Sequence, residues 1–321
     1  MATLIMALRS FEWTFFIKKP LRKYEWSEGQ DIPVARPLSV PNVLLDALDL
    51  FFNQRGIGWS WSSHPFPRES TPPPSVVFVL AKTLLKFTVL DTSQYILYLL
   101  GPTTDKAGGG SLFDASIPFL PHMVSVLFPT FVRALWVYGQ LESLYHVAML
   151  IGRILLRQPA SHWPPFFRRP WMATSMREFW SVRWHQFFRH FFIVFGARPG
   201  GALLGQPGAF MGAFTMSGLI HIVGPWAAGC ETDSEFRHNG GFFLLMGLGV
   251  VLESAFERVA GLPVRGWLGW LWTMGWMLSW GSLSFGSWGR GGIFAIELLP
   301  DHLRPGKMLI NGAISLFSKC K

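Results

Sequence analysis

Residues 267–285 are the segment that most constrains the fold, because they contain no ionisable side chain over about one bilayer crossing. A segment that crosses a bilayer must satisfy its backbone polar groups internally, which favours a helix. The whole chain has the same character: 50% of its 321 residues are hydrophobic and only 15% are charged, against about 25% charged in a typical soluble domain. The sequence therefore predicts an integral membrane protein and excludes a disordered chain.

Other apolar segments extend this prediction to the full length. We expect an all-α, polytopic integral membrane helical bundle with about 5–7 transmembrane helices and interfacial amphipathic helices, forming one membrane-embedded domain over residues 1–321. Within it, we predict an interfacial N-terminal region (1–74), a basic aromatic region (157–208) and a region of spans that carries the candidate histidine (209–285). The predicted spans are 75–100, 117–138, 141–156, 209–228, 241–259 and 267–285, and 308–317 is predicted to be a short re-entrant or capping helix.

The net charge of +9 is unevenly placed. Eight arginines and a single acid, Glu178, lie between Arg153 and Arg198. Positive segments beside spans mark the cytoplasmic side and attract anionic lipid headgroups or a phosphorylated substrate. Nucleic acid is a poor partner for this chain, because the basic blocks alternate with apolar segments of membrane length. Two cysteines, Cys230 and Cys320, are too few for a Cys-based metal site, and the irregular histidine spacing predicts no metal.

His221 is the histidine that stands apart, because it lies well inside the predicted span 209–228. An ionisable group at that depth is costly, so it is expected to face a partner, a cavity or a substrate. Neutral imidazole can accept a proton near neutral pH. Ser217 is one helical turn earlier and can share its face. The alternative is a histidine that only hydrogen-bonds across the bundle.

Residues 175–192 combine arginines with aromatic residues. Their spacing predicts one amphipathic helix with a broad aromatic face that includes Trp180 and Trp184. Ser175 is the expected N-cap, with Glu178 at the matching position of a capping box. This pattern is also typical of an interfacial helix without any further function.

Together, these features resemble the wax-synthase-like branch of the membrane-bound O-acyltransferase family, and in particular fungal enzymes that acetylate terpenoid or meroterpenoid alcohols. Three segments carry the resemblance in addition to an N-terminal signature at 55–59: Trp163-Pro164-Pro165-Phe166, then Ser175-Met176-Arg177-Glu178-Phe179-Trp180 with Arg183-Trp184-His185-Gln186, and Ser217-Gly218-Leu219-Ile220-His221.

The resemblance implies transfer of an acyl group, preferably acetyl, from acyl-CoA as co-substrate to the hydroxyl of a hydrophobic alcohol, with no other cofactor. It implies His221 and His185 as catalytic residues. The residues implied in substrate or acyl-CoA binding are Trp180, Arg183, Trp184, Gln186, Arg177, Arg189 and Ser217. Two departures concern the group that orients His221: Ile222 stands where many wax synthases have an acid, and Met246 followed by Glu253 replaces a Gln and a later Glu.

Two other functions remain open from the sequence. One is a long-chain wax-ester or sterol-ester synthase, and the other is a non-enzymatic membrane transporter or scaffold. The expected partners are the lipid bilayer, acyl-CoA and the alcohol, and the expected location is the endoplasmic reticulum. The sequence leaves the acceptor alcohol and the oligomeric state open.

Overall fold

A computed structural model describes residues 2–17, 23–25, 34–53, 55–61, 75–101, 118–227, 236–290, 293–295 and 299–319. Cys230 and Cys320 lie outside these residues. The long helices are α1 (Ala2–Phe15), α2 (Val40–Phe52), α3 (Val76–Leu100), α4 (Phe119–Ile154), α5 (Arg198–Ala227), α6 (Gly241–Ala260), α7 (Gly266–Arg290) and α8 (Pro305–Lys319). Short helical turns are Ala160–His162, Pro170–Met172, Met176–Glu178, Phe179–Arg183, Arg189–Phe192, Ile193–Ala197, Phe236–Gly240, Ile293–Ala295 and Asp301–Leu303. Described strands are limited to β1 (Tyr24–Glu25) and β2 (Val34–Ala35), which pair antiparallel.

The predicted spans 117–138 and 141–156 are wrong as separate helices, because α4 continues through both for 36 residues. Pro129 lies inside α4, and the helix accommodates it without ending. Helices α3 and α4 come into close contact at Gly139, where a Cβ atom would lie 3.0 Å from the backbone of Leu90. A glycine at this position therefore lets the two long helices pack closely.

Helix α5 begins with a kink and then runs to the candidate histidine. Leu204 and Gly205 have non-helical backbone angles, and Gly205 has a φ of 63°. A Cβ atom on Gly212 would lie 2.2 Å from the carbonyl oxygen of Gly196. Close backbone contact of this kind requires small residues. The contact fixes α5 at Gly212 against the preceding turn Ile193–Ala197.

The prediction of one continuous helix over 175–192 is wrong. A helical turn at Met176–Glu178 continues as a π-helical turn at Phe179–Arg183, and Trp184 then adopts an extended conformation with ψ of 153°. Helix resumes at Arg189. The extended stretch directs His185 and Gln186 away from a helix surface, so the aromatic residues form a cavity wall instead of one helix face.

Helix α8, which contains the predicted segment 308–317, is tied to α3. The Nε atom of Arg304 lies 2.9 Å from Oδ1 of Asp91, and the amide of Gly306 donates to Oδ2 of Asp91 at 2.7 Å. Both charged side chains are buried. Asp91, an acid inside the predicted span 75–100, is therefore paired.

Two of the described helices are long and apolar enough to cross a membrane: Met123–Ile154 and Arg189–Gly224. Helix α7 is less apolar than these two, although it contains the charge-free segment 267–285. Tryptophan, glycine and serine make up much of that segment and contribute little hydropathy. The all-α architecture is confirmed, and the count of 5–7 crossings stays a prediction.

Candidate active site

A hydrogen bond within its own helix orients the His221 ring. Its Nδ1 atom lies 2.8 Å from the carbonyl oxygen of Ser217. A carbonyl can only accept, so Nδ1 must carry the proton in this hydrogen bond. In neutral imidazole the lone pair is then on Nε2. The local helix therefore fixes the tautomer that a general base needs, without the carboxylate that Ile222 replaces.

The His221 ring lies among aromatic side chains and remains partly exposed to a cavity. Its centroid is 4.4 Å from that of Phe243, and it lies parallel to Trp288 at 6.3 Å. Ser217 is buried and lines the same cavity. The structure thus places Ser217 and His221 on one wall.

The cavity has a volume of about 2600 Å³ and is lined mainly by apolar and aromatic side chains from α2, α4, α5, α6, α7 and the segment 157–193. Eight of the predicted site residues line the cavity: His221, His185, Trp180, Trp184, Gln186, Arg177, Arg189 and Ser217. A concave apolar chamber with a few polar groups is typical of small-molecule sites. Its size allows two substrates to bind together.

His185 lines the same chamber as His221. Its ring is parallel to Phe166 at 5.6 Å and lies edge-on to Phe167 at 5.9 Å. Burial, with smaller contributions from the neighbouring His221 and the positive charge of Arg55, lowers the pKa of His185 to about 3. Its buried Nδ1 has no hydrogen-bond partner among the described residues. Neutral His185 can therefore donate one N–H to a substrate oxygen.

Gln186 is held by the backbone of the same segment. Its Nε2 atom donates to the carbonyl oxygens of Trp180 at 2.9 Å and Trp184 at 2.7 Å. Both amide hydrogens are thereby used, so the structure favours His185 over Gln186 as a donor to the chamber. Gln186 holds the extended stretch in place.

Trp180 and Trp184 form aromatic walls. Trp184 lies parallel to Phe179 at 5.4 Å, and Trp180 packs edge-on against Phe214 at 5.6 Å. Trp180 thereby joins segment 175–192 to α5, the helix that carries His221. These contacts place two large aromatic surfaces on the wall that a hydrophobic substrate would touch.

Arg183 does not line the chamber. Its Nε atom donates to Glu178 at 2.7 Å, and Nη1 donates to the carbonyl oxygens of Arg168 and Arg169 at 3.1 and 3.2 Å. Its guanidinium is used in these contacts. The geometry therefore assigns Arg183 to holding segment 175–192 against residues 168–169, and not to binding a substrate directly.

Arg177 and Arg189 do line the chamber. Nη2 of Arg177 lies 3.1 Å from Glu257, and Nη1 of Arg189 donates to the carbonyl oxygen of Ser181 at 3.4 Å. Both side chains are exposed. Of the three predicted arginines, these two are placed where a charged substrate group could reach them.

The capping of the helical turn Met176–Glu178 differs from the predicted capping box. Ser175 accepts the amide of Glu178 at 2.9 Å as predicted, but the Glu178 carboxylate accepts from the amide of Thr174 at 2.8 Å. Glu253 on α6 supplies the remaining acceptor, with its carboxylate 2.7 Å from the amide of Met176. This role could not be predicted from the sequence, because Glu253 is 77 residues from Met176 and nothing local signals the contact.

The fold and the chamber describe an all-α protein in which two histidines line one largely apolar cavity. Residues 163–245 match the model of the Membrane bound O-acyl transferase family. This stretch contains the three central segments on which the predicted resemblance rests, and the resemblance is confirmed.

The curated proteins include several similar to this chain. O-Mevalon transferase macI of Penicillium terrestre is 26% identical over 268 residues, covering 75% of this chain and 61% of that protein. O-Mevalon transferase yanI of Aspergillus niger is 25% identical over 276 residues, with the same coverage of 75% and 61%. Acetyltransferase eriL of Hericium erinaceus is 26% identical over 244 residues, covering 70% and 61%. The matches thus span about three fifths of the length of these relatives, and no solved structure matches.

Proposed function

We propose that this chain is a membrane-bound O-acyltransferase that moves an acyl group from acyl-CoA to the hydroxyl of a hydrophobic alcohol. The observation that carries the proposal is the geometry of His221: its Nδ1–H is committed to the Ser217 carbonyl, and its ring lines the chamber. The family match and the transferase names of the relatives support the same reaction class.

In the proposed mechanism, Nε2 of His221 accepts the proton of the alcohol while the alcohol oxygen attacks the thioester carbonyl carbon. The carbon–sulfur bond then breaks, and the proton passes from Nε2 to the thiolate of the leaving CoA. General-base assistance of this kind contributes about 10²–10⁴ in rate. His185, neutral and buried, donates to the developing oxyanion. Holding both substrates in one chamber supplies the rest of the rate enhancement.

Acetyl is the acyl group we propose first, because bulky aromatic side chains crowd His221. The second candidate is a mevalonyl group, since two of the relatives reported above are named O-Mevalon transferases. The acceptor proposed is a terpenoid alcohol, which suits the aromatic and apolar walls of the chamber. Arg177 and Arg189 are proposed to meet the phosphates of CoA.

We also propose that α3 to α7 form a multi-pass membrane unit in the endoplasmic reticulum. Large apolar side chains on these helices are strongly exposed, including Val77 at 74%, Leu203 at 82% and Val259 at 90%. Exposed apolar side chains of this extent are stable when they face lipid.

The test is release of CoA thiol by membranes that contain the chain, with acetyl-CoA, mevalonyl-CoA or palmitoyl-CoA and a panel of terpenoid alcohols. Mass spectrometry of the ester product identifies both the acyl group and the acceptor. Thiol release that depends on alcohol is expected. Preference for palmitoyl-CoA would instead indicate a wax-ester or sterol-ester synthase, and the absence of thiol release with every pair would favour a transporter or scaffold.

A further inference from the structure

One face of helix α7 lines the chamber, and it carries a buried hydroxyl group to which the proposed reaction gives no role. The lining residues follow helical spacing and include Met277, Leu278, Gly281, Ser284, Phe285 and Trp288. Among the described residues of α7 that line the chamber, Ser284 alone carries a hydroxyl, and its surface is only 3% exposed. A hydroxyl buried in an apolar wall is costly unless it forms hydrogen bonds. The partners of Ser284 therefore indicate what it can bind.

The hydroxyl hydrogen of Ser284 is already used inside the protein. Ser284 donates it to Oδ1 of Asn239 at 2.5 Å. Asn239 belongs to the turn Phe236–Gly240, and its surface is 0% exposed. A serine hydroxyl has one hydrogen and two lone pairs. Towards the chamber, the oxygen of Ser284 can therefore only accept a hydrogen bond, and it suits a group that donates one.

Helices α6 and α7 are antiparallel neighbours, as the order of the contacts between them shows. Asn239, just before the start of α6, bonds to Ser284 near the end of α7. Further along α6, a Cβ atom on Gly249 would lie 2.8 Å from Nε1 of Trp276, which is earlier in α7. The residues that follow Asn239 and those that follow Ser284 therefore lie on opposite sides of this hydrogen bond along the helix axes.

This arrangement places His221 at the level of Ser284. Phe243 follows Asn239 by about one helical turn, and Trp288 follows Ser284 by about one turn. The ring of His221 is 4.4 Å from that of Phe243 and 6.3 Å from that of Trp288. A ring beside both lies between their levels, where Ser284 is. Because a helical turn rises about 5.4 Å, Ser284 is within roughly one turn of the imidazole.

We infer that Ser284 is a specificity-determining residue, which accepts a hydrogen bond from a second hydroxyl group of a substrate. The inference rests on the proposed function, because it assumes that His221 accepts the proton of the hydroxyl that is acylated. That proton is then not available to Ser284, so a second donor is needed close to the reacting carbon. Two sources supply it: a hydroxyl on the acyl group, or a second hydroxyl on the acceptor alcohol.

The experiment compares matched substrates that differ at one oxygen. The donors are butyryl-CoA, β-hydroxybutyryl-CoA and acetoacetyl-CoA, each with menthol. The acceptors are menthol and menthoglycol, which has a second hydroxyl on its isopropyl group, each with acetyl-CoA. The kcat/KM ratios are measured for wild type, Ser284→Ala and Ser284→Thr. Thr273→Val is the matched control, because Thr273 is a buried hydroxyl of the same helix that donates to the Gly269 carbonyl at 2.7 Å and does not line the chamber.

Wild type is expected to prefer the hydroxylated member of one set over the member that lacks the hydroxyl, and Ser284→Ala should reduce this preference by about 10-fold. Ser284→Thr keeps a hydroxyl and should retain part of the preference, and Thr273→Val should not change it. Acetoacetyl-CoA should gain nothing from Ser284, because a hydroxyl that donates to Asn239 cannot also donate to a ketone. A loss among the donors identifies a hydroxyacyl group, and a loss among the acceptors identifies a diol.

An equal fall in kcat/KM for every substrate would overturn the inference. That result is expected if Ser284 only joins α7 to Asn239, or if it binds an amide of CoA, which all the donors share. Unchanged ratios in Ser284→Ala would overturn it as well.

Binding is measured separately from turnover. Thermal-shift measurements compare the two acceptors, and butyryl-CoA with β-hydroxybutyryl-CoA, on purified wild type and Ser284→Ala. If wild type turns over no substrate, the proposed reaction fails, and the binding measurement still decides whether Ser284 recognises a hydroxyl. Greater stabilisation by the hydroxylated member in wild type alone supports the inference, and equal stabilisation by both members of each pair would overturn it.

Discussion

His221 and His146 have the same local hydrogen bond and different surroundings. Each lies on a long apolar helix, and in each the Nδ1 atom is 2.8 Å from the carbonyl oxygen four residues earlier. His146 packs beside Glu142, at 3.5 Å, and Lys86 approaches the same carboxylate at 3.5 Å. His221 instead lies among aromatic rings and lines the chamber, whereas His146, Glu142 and Lys86 do not.

The comparison separates what a helix decides from what packing decides. The backbone hydrogen bond sets the same tautomer for both rings. The ion pair between α3 and α4 then binds His146 into a charged cluster, which also includes a hydrogen bond between Lys86 and Tyr138. Buried charges that are paired in this way stabilise one arrangement of helices. We therefore expect chemistry at His221 and helix packing at His146.

The largest effect is expected from His221→Ala, which removes the proton acceptor. It should lower kcat for acyl transfer by about 10²–10⁴-fold, with a stability loss of about 1 kcal/mol from the lost hydrogen bond to the Ser217 carbonyl. His146→Ala is the matched control and should retain most of the activity with a loss of about 1 kcal/mol in stability. If both variants lost activity equally, the two histidines would not differ in role.

Lys86→Met tests the charged cluster around His146. Removing the cation leaves Glu142 buried without this charge partner, so we expect a loss of about 3–5 kcal/mol in the free energy of unfolding. Thermal unfolding in detergent measures it. Adding Glu142→Gln to Lys86→Met should recover part of the loss. If Lys86→Met kept wild-type stability but lost acyl transfer, the cluster would instead take part in the reaction.

Arg183→Ala extends the comparison to the arginines. Because its guanidinium bonds to Glu178 and two backbone carbonyls, we expect a stability loss of about 1–3 kcal/mol and similar decreases in kcat/KM for acyl-CoA and for the alcohol. Arg189→Ala, at the chamber edge, should raise the KM for acyl-CoA alone. A selective KM effect of Arg183→Ala would restore the sequence-based expectation that this arginine binds acyl-CoA.

The last prediction concerns pH and His185, and its effect near pH 6 is the smallest of the set. Its ordinary pKa is 6.5 and its folded pKa is about 3, so below pH 6.5 the unfolded chain binds a proton that the folded protein does not. Stability should therefore fall as pH decreases from 6.5, by up to about 1.4 kcal/mol per pH unit from this group. Unfolding of wild type and His185→Gln across pH 4–8 measures the difference. Parallel curves would contradict the buried neutral His185.

Several parts of the site could be predicted from the sequence because their causes are local. Ser175 caps the helical turn that follows it, and His221 lies at depth in an apolar helix, as its neighbours in the chain indicate. The break at Trp184 could not be predicted, because the aromatic spacing continues through it. Nor could the continuous helix α4, since the two predicted spans separate at 139–140, where Gly139 packs against Leu90 of α3, a contact that the local sequence does not signal.

By itself, the sequence determined that the chain is helical and apolar, and that an imidazole lies inside one of its helices. These properties depend on hydrophobic length and on hydrogen bonds that reach about one turn. Only the tertiary structure decided which histidine faces the chamber, which arginine is used in structural contacts, and how Glu253 reaches Met176 and Arg55 reaches Pro164. These features depend on contacts between residues about 80 to 110 positions apart, which no local sequence pattern records.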